Sequence, residues 1–88
     1  MSLPDIAATR INFLNTELDL ANSFVELAKT ELKLNDRQHS QALLQKAQVA
    51  LDTVKRLMAD APKMASDEVE KLARRCDELE SSIQSVSI

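Results

Sequence analysis

The sequence predicts an all-α protein, an antiparallel three-helix bundle. Three observations lead to this prediction. The chain has no glycine and only two aromatic residues, both phenylalanine, whereas β-rich folds use aromatic side chains and glycine turns. Apolar residues recur at steps of three and four in three separate stretches, as they do on the buried face of a helix. Polar breaks at Asn35-Asp36 and at Pro62 separate those stretches.

Length, charge and cysteine usage narrow the class of protein. The 88 residues fit a single helical domain over residues 1–88 with a modest core. The net charge is −3 and no segment is strongly basic, so we expect no nucleic-acid or membrane partner. The chain lacks a secretory signal pattern and an apolar run of about 18 residues. With Cys76 as its single cysteine, a cytoplasmic location is expected.

Helix 1 is expected over about residues 4–33. Pro4 suits a first helical turn, and Asp5 faces the positive end of the helix dipole. The main apolar stripe alternates steps of four and three and comprises Ala7, Ile11, Leu14, Leu18, Ala21, Val25, Ala28 and Leu32. A second stripe recurs at strict steps of seven and comprises Ile6, Phe13, Leu20, Leu27 and Leu34. Together the stripes fill an arc of about 160°.

A short turn connects helix 1 to helix 2. Asparagine tolerates the left-handed conformation that ends a helix, so Asn35 can replace the usual glycine, and either Asn35 or Asp36 can cap helix 2. So short a link makes the two helices antiparallel neighbours. Helix 2 is expected over about residues 37–60. Its apolar residues form two stripes, one of Ser40, Leu43, Ala47, Ala50, Val54 and Leu57 and the other of Leu44, Leu51 and Met58.

Helix 3 is expected over about residues 66–84. Pro62 biases the preceding residue away from helical angles, and Ser66 is a good helix cap. A narrow apolar stripe follows, formed by Val69, Leu72, Cys76, Leu79, Ile83 and Val86. We expect the tail over residues 84–88 to fray. The alternating three-and-four spacing of all three helices is typical of left-handed coiled-coil packing.

Two single residues could carry chemistry. His39 lies near the start of helix 2 beside Asp36 and Ser40, and such neighbours could make it a proton carrier. A catalytic histidine also needs converging groups in a pocket, which so small a bundle does not offer, so we interpret it as a surface residue near a helix cap. Cys76 could be a nucleophile, but within an apolar stripe a thiol behaves as a small hydrophobic residue.

No metal or cofactor site is predicted. Helix 3 carries six acids on its expected outer face: Asp67, Glu68, Glu70, Asp77, Glu78 and Glu80. A di-metal carboxylate bundle needs inward-facing glutamates and a Glu-x-x-His unit, which is missing. The lack of glycine excludes phosphate-binding loops, and one cysteine excludes a Cys-x-x-Cys pair. We therefore expect no enzyme, no cofactor and no small-molecule substrate.

Helices 1 and 2 carry more apolar surface than the narrow helix 3 is expected to cover. The residues expected to remain partly exposed, and to contact a partner, are Ile6, Phe13, Leu20, Leu51 and Met58. Such a surface could dock a second copy of the chain or an amphipathic helix of another protein. The alternative interpretation is that the broad stripes wrap one core.

Residues of the hairpin over residues 24–57 follow a known pattern: Phe24, Leu27 and Ala28, then Lys33-Leu34-Asn35-Asp36, then Ser40, Leu44 and Ala47. This pattern resembles a tetratricopeptide repeat. It departs from that family at Glu31, where an aromatic residue is usual, and near Asp52, where no proline ends the helix. A hairpin with a third helix is also similar to the microtubule-interacting and transport (MIT) domain, a three-helix bundle that binds short helical motifs.

The resemblance implies a protein-interaction module and names no partner. We therefore expect a non-catalytic interaction or self-association module that uses the apolar surface of helices 1 and 2. A homodimer is one form of this expectation. The alternative is a structural subunit of a helical homo-oligomer that has no separate client.

Overall fold

The computed structural model describes residues 6–59 and 66–87, with side-chain burial over residues 9–59 and 67–86. These residues form three α-helices: α1 (Ile6–Lys33), α2 (Arg37–Ala59) and α3 (Ser66–Ser87). The expected start of helix 1 at Pro4 and Asp5 and the expected break at Pro62 lie outside the described residues. None of the three helices has an apolar stretch long enough to cross a membrane.

The helices pack as an elongated up-down-up bundle with extents of 52 × 25 × 16 Å, and each helix contacts both others. The short turn makes α2 antiparallel to α1. Two contacts show that α3 runs parallel to α1. Arg75 of α3 donates to Asn15 of α1 over 2.7 Å, and Val86 near the end of α3 lines the same cleft as Leu32 near the end of α1. The predicted all-α three-helix bundle is confirmed.

The core is built from the three-and-four stripes. Its buried apolar side chains are Leu14, Leu18, Ala21, Val25 and Ala28 of α1, Leu43, Leu44, Ala47, Ala50, Leu51 and Val54 of α2, and Leu72, Cys76, Leu79, Ile83 and Val86 of α3. Small residues alternate with large ones along α1 and α2, so the two helices can approach closely. Burial of the apolar surface of this cluster stabilises the folded bundle.

The turn between α1 and α2 ends one helix and starts the next within three residues. Asn35 adopts the left-handed conformation with φ of 64°. The N–H of Asn35 donates to the carbonyl of Leu32 over 3.1 Å, and the N–H of Asp36 donates to the carbonyl of Glu31 over 2.9 Å. This is the Schellman arrangement. The Asp36 carboxylate then accepts the N–H of His39 over 3.0 Å and so caps α2.

A buried hydrogen bond ties the start of α2 to α1. Ser40 is 2 % exposed, and its hydroxyl donates to the carbonyl of Ala28 over 2.9 Å. Because Ala28 has so small a side chain, the serine can approach the α1 backbone. The serine that interrupts the apolar stripe of α2 is therefore a satisfied polar group at the helix interface.

Helix α3 extends further than the sequence predicts. It remains helical to Ser87, three residues beyond the expected end near residue 84, and fraying of residues 84–88 stays a prediction. Val86 continues the apolar stripe from Ile83 and belongs to the core. Burial of this valine stabilises the last turn against fraying.

We predict that Asn35→Ala lowers the free energy of unfolding by about 1 kcal/mol, because a β-carbon without a local polar group disfavours the left-handed conformation. Asn35→Gly is the matched control and should leave stability unchanged or slightly higher. Urea unfolding followed by circular dichroism measures both. An Asn35→Gly loss as large as that of Asn35→Ala would show that side-chain contacts, and not the backbone angle, determine the choice of asparagine.

Candidate interaction surface

One line of exposed apolar side chains runs along α1. Among the described residues, six large apolar side chains are exposed, and four of them recur every seven residues. We call these four the α1 seam: Phe13 (48 % exposed), Leu20 (46 %), Leu27 (52 %) and Leu34 (68 %). The other two are Leu32 and Val49. Isolated exposed leucines are common, whereas several large exposed apolar residues aligned on one side of a helix are typical of a contact surface.

The α1 seam faces away from the core. At about 100° per residue, Leu20 projects about 130° from the direction midway between the buried Leu18 and Ala21. The seam therefore lies near the side of α1 opposite to α2 and α3. Phe13, Leu20 and Leu27 span 14 positions, about 21 Å of α1, and Leu34 follows directly after Lys33, the last residue of the helix.

Three hydroxyl residues lie between the apolar residues of the seam, and each bonds to its own helix. The hydroxyls of Thr16, Ser23 and Thr30 donate to the carbonyls four residues earlier, over 2.9, 3.1 and 3.2 Å. A polar group that already donates within its helix loses less when a partner excludes water from it. The small hydroxyl residues therefore add little to the cost of covering the seam.

Acidic residues border the seam on both sides. Five positions flank its central part, one residue before or four residues after a seam residue, and they hold Glu17, Asp19, Phe24, Glu26 and Glu31. Four of these five are acids, and Phe24 is partly buried under Lys46 of α2, whose Nζ lies 5.9 Å from the ring centroid. Lys33 is the one basic flank residue, at the end of the helix.

Three of the flanking acids also have partners within the bundle. Asp19 accepts a hydrogen bond from Arg75 of α3 over 2.6 Å. Glu26 pairs with Lys29 one turn along α1 over 3.1 Å. Glu31 lies 3.3 Å from the imidazole Nδ1 of His39. These pairs are mostly exposed, so each contributes little to stability.

The structure places the five expected contact residues differently. Phe13 and Leu20 are exposed in the seam, and the side chain of Ile6 lies outside the described residues. The expectation that Leu51 is left exposed is wrong, because Leu51 is 0 % exposed in the core. Met58 is partly buried and packs against the core. The exposed apolar line therefore belongs to α1 and does not continue on α2.

Angular position on each helix explains this difference. Leu51 projects only about 70° from the centre of the main stripe of α2, so it turns into the core, whereas Leu20 projects about 130° from that of α1. Leu27 and Leu34 were missed as contact residues although they share the seven-residue stripe with Phe13 and Leu20. The angle between the two stripes of α1, which can be calculated from the sequence, is the signal that identifies Leu27 and Leu34.

His39 belongs to a small cluster at the turn. One ligand atom each of Glu31, Asp36 and His39 lies within 4.8 Å of the others. Such a set could bind a divalent cation, but each group has a structural role, since Asp36 caps α2 and Glu31 pairs with His39. Asp36 and His39 are exposed, so the cluster forms no enclosed site.

The acids of α3 join no comparable cluster among the described residues. Glu80 accepts a hydrogen bond from Lys55 of α2 over 2.9 Å, and Glu68 lies 3.9 Å from Lys71. The hydrogen bond to Glu80 raises the pKa of the Lys55 ammonium above its ordinary value. Glu68 and Glu80 therefore act in ion pairs on the surface of the bundle.

Cys76 is a buried thiol. It is 3 % exposed and lies among the core residues of α3. Burial raises the pKa of the Cys76 thiol, and the opposing effect of the Lys55 charge is smaller. A protonated and inaccessible thiol is a poor nucleophile.

No protein-family model matches the chain, and no curated protein and no solved structure is significantly similar to it. The fold agrees with the helical bundle that both resemblances imply. A tetratricopeptide or MIT identity stays a prediction.

We predict that Leu51→Ala lowers the free energy of unfolding by about 2–5 kcal/mol, because it leaves a cavity in the core. Leu20→Ala removes the same atoms from a half-exposed position and should cost less than about 1 kcal/mol. Chemical denaturation of the two variants measures the difference. Equal losses would show that the seam contributes to folding as much as the core does.

We predict that Cys76 reacts about tenfold or more slowly with a thiol reagent in the folded protein than in denaturant. The raised pKa means that the folded state holds the thiol proton to a higher pH than the unfolded state does. The free energy of unfolding therefore falls as the pH rises above the ordinary thiol pKa, where the thiol of the unfolded chain loses its proton. The stability of the wild type relative to Cys76→Ala should therefore fall as the pH rises above the ordinary thiol pKa of about 8.5. Fast labelling of the folded protein near pH 8 would contradict the buried placement.

Proposed function

We propose that this protein is a non-catalytic interaction module whose contact surface is the α1 seam. The observation that supports this most is the recurrence of exposed Phe13, Leu20, Leu27 and Leu34 at steps of seven. A straight helix has about 3.6 residues per turn, so this seven-residue repeat drifts by only about 60° over its three steps and stays on one side of α1, where a second helix wrapped around α1 could follow it. The core stripes of the three helices already form the buried core of the bundle. The seam is exposed apolar surface that the bundle does not use.

The resemblances of the hairpin support the same class of function. Tetratricopeptide repeats and MIT domains are protein-interaction folds, and in this chain the exposed apolar surface is also helical. A cytoplasmic location, expected from the single buried Cys76, is part of the proposal. The second candidate function is a structural subunit of a helical homo-oligomer, because the same seam could pack against a second copy.

The double substitution Leu20→Glu with Leu27→Glu tests the seam. We predict that the variant keeps its helical content and unfolding midpoint within experimental error, because both positions are about half exposed. It should lose the oligomer, or the specific partner, that the wild type retains. Val49→Glu is the matched control, since Val49 is an exposed apolar residue of α2, 64 % exposed, and lies outside the seam.

Sedimentation equilibrium and quantitative affinity capture give the two readouts. A partner recovered with wild type and with Val49→Glu, but not with the double variant, supports the module. A dimer that only the double variant disrupts supports the structural subunit. If wild type and double variant are identical monomers that retain the same proteins, the seam is not a contact surface and the proposal is wrong.

A further inference from the structure

We infer that the occupant of the α1 seam is an amphipathic helix with a basic border: an apolar stripe at heptad spacing flanked on both sides by lysine or arginine. This inference rests on the proposed function, because it names the chemistry of the partner for the same surface. Its basis is the charge of the seam's borders, which the apolar repeat alone does not require.

The flanking positions beside the central part of the seam carry charge of one sign, although Arg75 and Lys29 pair with two of their carboxylates, those of Asp19 and Glu26. Between Glu17 and Glu31, four of the five flanking positions are acidic and the fifth is Phe24. In paired helices the flanking positions of one helix lie opposite those of the other and determine which partner is accepted. Lysine or arginine at the partner's flanking positions would therefore face carboxylates along about 20 Å of helix.

Both borders are acidic, so the inference does not depend on the direction of the partner. Glu17 and Glu31 lie on one border, and Asp19 and Glu26 lie on the other. Reversing the direction of the partner helix changes which of the partner's two borders lies against which border of the seam. In both directions, each border of the partner meets acidic residues. The charges therefore do not determine whether the partner helix is parallel or antiparallel, and the apolar contacts must do so.

The same charges disfavour a second copy of this chain as the occupant. Two seams facing each other would bring acidic borders together, and like charges at flanking positions oppose pairing. Lys33 is the only basic flanking residue, and it could reduce this repulsion only at the end of the helix. A basic helix meets no such opposition, and long-range attraction increases its rate of association.

A pair of synthetic peptides tests the inference with the full-length protein. Both have about 21 residues, enough for the length of the seam, with leucine and isoleucine at the core heptad positions. One carries lysine at all flanking positions and its twin carries glutamate there. We expect the lysine peptide to bind about tenfold or more tightly at low salt, with a difference that shrinks in about 0.5 M NaCl.

Charge reversal on the protein identifies the border. Glu17→Lys with Glu26→Lys changes one acid on each side and spares Asp19 and Glu31, which contact Arg75 and His39. This variant should lose or invert the preference for the lysine peptide. The control is Glu70→Lys with Asp77→Lys, which changes the net charge equally at exposed positions of α3. The control should keep the wild-type preference, and circular dichroism checks that both variants fold.

The outcomes separate this inference from the proposed function. Equal binding of both peptides, abolished by Leu20→Glu with Leu27→Glu, overturns the basic border and leaves the seam as a contact surface. A seam-dependent dimer that excludes both peptides overturns it in favour of a second copy. If neither peptide binds and the seam variant behaves as wild type, both proposals are wrong. If the border variant and the α3 control lose the preference for the lysine peptide equally, the preference comes from the net charge of the protein. That result also overturns the inference.

Discussion

The packing of α1 against α2 is the interaction on which the rest of the structure depends. Ala21, Ala28 and Ala47 allow the two helices to approach closely, and the hydroxyl of Ser40 bonds to the α1 backbone at the closed end of the hairpin. The left-handed Asn35 makes this end compact. Helix α3 covers the groove between α1 and α2, so its narrow apolar stripe is sufficient.

The arrangement of the three helices explains why surplus apolar surface remains on α1. A helix in a three-helix bundle turns one side to its two neighbours, and that side can be about half of its circumference. Both stripes of α2 fall within such a side, so Leu44 and Leu51 are buried. The two stripes of α1 fill about 200° at 100° per residue, more than the expected 160° and more than such a side can cover. Burial of Leu14 and Leu18 directs Phe13 and Leu20 to solvent.

The sequence predicts the fold well because core formation in a helical bundle depends on local spacing. Steps of three and four identified the core of each helix, and the Asn35 turn followed from the conformational tolerance of asparagine. The candidate site was predicted less well. Exposure of a second stripe depends on its angle to the first and on how many neighbours the helix has. Leu51 was therefore misplaced, and Leu27 and Leu34 were missed.

The polar contacts of the bundle and the acidic borders of the seam are parts of one arrangement. Arg75 anchors α3 to α1 through Asn15 and Asp19, and the second of these is also a border acid. A basic partner helix would compete with Arg75 for this carboxylate and not simply add to its contacts. Within the described residues, neither Glu17 nor Glu26 makes a polar contact to another helix, so partner charge can be recognised through these two acids without loosening α3.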